Sequence, residues 1–214
     1  MKKLLLTSCC CLLLATLQAQ TQAPIDLSAA APAKVNTPPL DKSPLDMAYF
    51  PSDYPMLKTQ SRLSTPPMAR LIYSRPQREN RTVFGGLVEY GKVWRLGANE
   101  ATEIELFRDA TVGGKKLAKG RYTLYAIPTE TRWTIIFNKD TDSWGAFVYD
   151  EKKDVLRTDV PVRQLDTLVD AFSASFTKGE NSTTLVFTWE NVTVSLPIQF
   201  TPAALPPAPP KAKK

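Results

Sequence analysis

Apolar and polar residues alternate with a period of two through most of the chain after residue 67, the pattern of half-buried strands. The alternation predicts strands over Met68–Arg75, Arg81–Phe84, Val93–Leu96, Ala101–Phe107, Arg121–Ile127 and Arg132–Asn138. It continues over Ala146–Tyr149, Val155–Val160, Val169–Phe176, Thr183–Trp189 and Val192–Phe200. In Ala101–Phe107, Thr102, Ile104 and Leu106 fall on one side and Glu103 and Glu105 on the other. The same count carries Glu100 to the inward side, an unusual place for a carboxylate. Val112-Gly113-Gly114-Lys115, Lys119-Gly120 and Gly179-Glu180-Asn181 read as turns. Pro197 cannot donate a ladder hydrogen bond, which predicts an edge position for the last strand. About ten short strands with no helical period predict an all-β fold, an antiparallel β-sandwich or jelly roll. A β-barrel with an internal cavity is the alternative.

The ends of the chain read differently. Lys2 and Lys3 precede an apolar run, Leu4–Leu17, and Gln18-Ala19-Gln20 follows it. This describes a signal peptide of residues 1–19, cleaved after Ala19. The run is shorter than the ~20 residues of a membrane-spanning helix, so no transmembrane segment is expected in the mature chain. The expected location is therefore periplasmic or extracellular, with a lipoprotein anchored through Cys9 as the alternative. Residues 20–61 are rich in Pro, Ala, Ser and Thr and read as a linker. Within them Asp46–Leu57 is apolar enough to lie against the domain as an outer segment. Residues 62–200 form the β domain, and 201–214 a Pro- and Lys-rich tail.

Composition narrows the chemistry. The three cysteines, Cys9, Cys10 and Cys11, all precede Ala19, and the chain has no histidine. The mature protein then lacks a thiolate nucleophile, a Ser-His-Asp relay and His or Cys zinc ligands. The formal charge is +6, but without Lys2, Lys3 and the tail lysines 211, 213 and 214, residues 20–200 carry only +1. No nucleic-acid footprint is present in that balance.

The stretch GKVWRLGANEAT, residues 91–102, concentrates the candidate chemistry. Arg75, Arg81 and Arg95 offer planar forks for carboxylates or phosphates, and Trp94 and Trp144 offer stacking faces. Asn99 and Glu100 offer partners for hydroxyl groups. This set suits a small polar or carbohydrate-like ligand, although a buried Arg–Glu pair beside a turn would present the same residues. Glu100 is the best candidate for an acid, and Glu103 and Glu105 sit at about the separation of glycosidase carboxylates. Asp140 and Asp142 share a spacing with calcium ligands, but without the further oxygen ligands of an EF-hand they read as a solvated turn. No cofactor or metal is expected.

The motifs also occur in a familiar order. Ser64-Thr65-Pro66-Pro67, Tyr73-Ser74-Arg75-Pro76 and RTVFGGL from Arg81 precede GKVWRLGANEAT. Gly120–Leu124, Ile127-Pro128, Trp133-Thr134, Asn138-Lys139, Trp144-Gly145 and Asp154–Arg157 follow it. Over about residues 62–200 this order resembles domain of unknown function 2911, a secreted family common in Bacteroidetes. Glu89 stands where the family has a proline. The resemblance implies an exported, β-rich bacterial domain and no established activity. The residues point first to a non-catalytic module binding a small polar ligand. A carboxylate-dependent glycan hydrolase or lyase and a structural envelope protein are the alternatives.

Overall fold

Nine strands make one antiparallel sheet in the computed structural model, which describes residues 37–62 and 64–202. All its elements lie in the unit that begins at Leu40. The strands are β1 (Leu45–Phe50), β2 (Ala69–Ser74), β3 (Glu103–Leu106), β4 (Ala110–Val112), β5 (Lys115–Leu117), β6 (Gly120–Pro128), β7 (Arg132–Asn138), β8 (Asp154–Phe176) and β9 (Ser182–Phe200). One short helix, α1 (Tyr54–Thr59), follows β1. The sheet order is β1-β2-β3-β6-β7-β8-β9-β4-β5. With β1 and β5 as edges, the sheet is mostly β architecture not closed into a barrel, which removes the barrel alternative. The expected signal peptide, the Cys9 anchor and the tail beyond residue 202 lie outside the described residues.

The strongest alternation in sequence produced the expected strands. β3 buries Ile104 and Leu106 and turns Glu103 and Glu105 outward. Glu105 meets Arg70 of β2 at 2.6 Å and Glu103 meets Arg121 of β6 at 2.8 Å. β6 and β7 lie mid-sheet and are buried almost continuously, as strands covered on both faces must be.

Other expectations differ. Val155–Val160 and Val169–Phe176 belong to one 23-residue strand, and Thr183–Trp189 and Val192–Phe200 to one of 19 residues. Register shifts between Gln164 and Ser173 bend β8 without ending it, the usual consequence of β-bulges. Glu190, at φ 55, bends β9. The last strand is not at an edge: β9 pairs with β8 through Val194 and with β4 from Ile198. Pro197 falls between these two ladders, so its missing N–H costs no pairing. Arg81–Phe84, Val93–Leu96 and Ala146–Tyr149 form turns and single bridges rather than strands.

The sheet curls until distant strands share a core. Phe50 of β1 stacks on Phe200 of β9 with ring centroids 5.4 Å apart. Phe84, Trp94, Trp133, Phe172 and Trp189 form a second cluster at centroid separations of 5.2–6.3 Å. Burying rings of this size supplies much of the drive to fold.

Candidate functional site

Residues 94–102 lie across β6 as a clipped loop. Trp94 and Ala126 exchange backbone hydrogen bonds of 2.7 and 2.9 Å. The Trp94 indole N–H donates to the Gly97 carbonyl at 3.0 Å, and the Thr102 hydroxyl donates to the Leu96 carbonyl at 2.5 Å. The Thr102 amide closes the loop on the Arg95 carbonyl at 3.0 Å. Trp94 and Leu96 are buried, so the residue between them is directed away from the core. That residue is Arg95.

Arg95 borders a cleft of about 390 Å³ together with Lys42, Gln77, Glu79, Arg81 and the edges of Trp94 and Trp189. Arg81 is already engaged: its guanidinium donates to the Arg78 and Gln77 carbonyls, each at 2.8 Å. Glu79 lies 3.6 Å from Arg81 and 3.9 Å from Lys42. The Arg95 guanidinium has no hydrogen-bond or ion-pair partner among the described residues, and its Nε is buried. Burial pushes the guanidinium below its usual pKa, as expected for a cation moved out of water without a counter-charge. It remains a cation at neutral pH.

The seven residues singled out in sequence separate into three places. Arg81, Trp94 and Arg95 meet at the cleft. Trp94 offers no free stacking face, because it packs against four other aromatic rings. Arg75 lies apart, bound to Asp46 at 3.1 Å and to the Phe172 carbonyl at 3.3 Å. Asn99, Glu100 and Trp144 form the third group. The Asn99 amide donates to Asp41 at 2.9 Å, and Glu100 bridges Trp144. Glu100 is exposed rather than inward: it lies before β3 begins at Glu103 and pairs with Trp144 of a surface turn. The burial on which its candidacy as an acid rested is absent.

The other candidate carboxylates have cationic partners. Glu103 and Asp142 both pair with Arg121, and Asp140 pairs with Lys153 at 2.9 Å. A larger groove, about 910 Å³, runs past Thr111, Thr158, Thr184, Ser195 and Gln199. Its lining also holds Asp159, Lys178, Val160, Leu196 and Ile198, and no aromatic side chain. Lys42, Gln77, Glu79 and Trp189 complete the cleft without having been singled out in sequence. Gln77 and Glu79 adjoin Arg81 in the chain, but no pattern joins Lys42 or Trp189 to it.

Residues 58–198 match the family described as Protein of unknown function (DUF2911), and the chain belongs to that family. Neither a curated protein nor a solved structure matches it.

Proposed function

We propose that this member of the DUF2911 family is an exported, non-catalytic module that binds a small acidic, carbohydrate-like ligand in the cleft at Arg95. The supporting observation is the Arg95 guanidinium, half-buried at a cleft wall with no partner among the described residues. A desolvated cation of this kind destabilises the empty protein, and a carboxylate that accepts from both sides of its fork offsets the loss. Lys42, Gln77 and Arg81 supply further donors around it. A uronic acid combines the carboxylate with hydroxyls for those donors. Export is supported by the composition of residues 1–19.

Thermal-shift measurement on residues 20–214 tests the reading, with glucuronate, galacturonate and their oligomers as ligands and neutral sugars as controls. At about 100 times its dissociation constant a ligand adds about 2.7 kcal/mol. For a domain of this size that is about 5–10 °C in Tm. The shift disappears in Arg95→Ala. If no acidic sugar moves Tm, or if Arg95→Ala leaves the shift intact, the proposal fails.

The burial of Trp94 favours a second reading, a structural envelope protein in which this stretch only holds the sheet. Under it, Arg95→Ala lowers stability and no ligand raises it.

A further inference from the structure

We propose that Trp144, Glu100 and Phe147 form a second site, distinct from the Arg95 cleft, that stacks one ring of a neutral hexose glycan. Trp144 is 60% exposed and Phe147 84%. Neither makes a ring contact among the described residues, and the Trp144 indole N–H has no hydrogen-bond partner among them. Large aromatic surface left in water at one place marks a contact site more often than scattered exposure does.

The platform is held rigidly. The Ala101 amide donates to the Ser143 carbonyl and the Gly145 amide to the Asn99 carbonyl, both at 2.9 Å, on either side of the Trp144–Glu100 bridge. The Asp142 amide donates to Glu103 at 2.6 Å. Gly145 has φ 72, and a Cβ there would come within 2.6 Å of the Phe147 ring. Glycine is therefore what lets the two aromatics flank the turn.

The chemistry of the ligand follows from the pairing. Residues directly opposed in an antiparallel bridge project from the same face, with Cβ atoms about 5 Å apart. The Glu100 carboxylate thus stands beside the Trp144 ring, exposed and without an ion pair among the described residues. A flat aromatic face takes the C–H face of a pyranose, and an adjacent carboxylate accepts from its hydroxyls. The same carboxylate repels an acidic sugar. A hollow of about 240 Å³ is lined by Glu100 with Leu45, Ile72, Ala101 and Ser143 and by the Arg121-paired Glu103 and Asp142. This is below the size of pockets that enclose drug-sized ligands, as suits a ring docked on a surface.

Collisional quenching by iodide reads this site directly, because Trp94, Trp133 and Trp189 are buried and Trp144 is not. Millimolar cellohexaose, laminarihexaose or mannohexaose is expected to protect the fluorescence from quenching. Glu100→Gln keeps the reporter and weakens protection at least about tenfold. Trp144→Ala abolishes binding by calorimetry with Tm unchanged. Arg95→Ala leaves the protection intact, so this site and the cleft stand or fall separately. Absence of protection by all three hexaoses overturns the proposal, as does unchanged calorimetric affinity in Trp144→Ala. Protection by choline chloride and not by the saccharides overturns it in favour of an ammonium ligand.

Discussion

Replacing Arg95 with methionine is expected to make the ligand-free protein more stable while removing acidic-ligand binding. Methionine keeps most of the aliphatic stem between Trp94 and Leu96 and deletes the cation. An orphaned buried donor costs about 1–3 kcal/mol. The lower end applies, since only Nε is buried without a partner and the rest of the guanidinium borders the open cleft. The gain is then about 1 kcal/mol, or about 2–4 °C in Tm for a domain of this size. Urea denaturation in a buffer free of carboxylates and phosphate measures it, because either anion would stabilise wild type alone. A loss of about 1 kcal/mol or more in Arg95→Met would refute the reasoning. It would mean that the guanidinium stabilises the empty fold, and the argument for a ligand there would go with it.

Other residues give sharper structural tests. The Glu190 carboxylate accepts from the Val83 and Phe84 amides at 3.2 and 3.3 Å, so Glu190→Ala should cost about 1–3 kcal/mol in chemical denaturation. Trp94→Ala empties the centre of the aromatic cluster and should cost about 3–5 kcal/mol. Gly113 has φ 55, and a Cβ there would collide with the Thr158 hydroxyl; Gly113→Ala should lower Tm, and adding Thr158→Ala should restore part of the loss. Burial, then the hydrogen bond to Asp154, pushes the Tyr149 phenol up to about 12. Its folded pKa exceeds the unfolded value near 10, so its contribution is complete below pH ~10 and is lost as pH rises toward 12. In ultraviolet titration, Tyr149→Phe should remove one phenol ionising near pH 12 from the wild-type curve.

Apolar patterning made much of the sheet legible. β3 alternates because one face packs on the core, and β6 and β7 read as near-continuous apolar runs because both faces are covered. The segment Asp46–Leu57 was apolar in sequence, and β1 (Leu45–Phe50) overlaps its start. Alternation misled outside the regular strands. Ala101 and Thr102 are both buried and precede β3, so counting by twos from Thr102 back to Glu100 sent a surface carboxylate inward. Val83 and Phe84 look like a strand, but their amides bond to Glu190, more than a hundred residues away. The continuity of β8 was hidden by Pro161 and by the register shifts that bend it. No local signal encodes either effect.

The candidate site was legible in its residue types and not in its partition. Tryptophan and arginine side by side suggested one ligand-facing pair, yet Trp94 is sealed in the core while Arg95 faces the cleft. Those opposite fates have one cause. Trp94 and Leu96 are both buried, and the loop carrying them is clipped to β6 and Thr102 by hydrogen bonds through Ala126, Gly97 and Leu96. Arg95 cannot swing away to a counter-charge without uprooting its neighbours. Glu79, the acid lining the same cleft, is flanked by Arg81 and Lys42. The anchoring that makes Trp94 useless as a stacking face therefore holds Arg95 ready at the cleft wall. Preorganisation of this kind lowers the cost of binding, and it connects the aromatic core to the one cation of the cleft without a partner among the described residues.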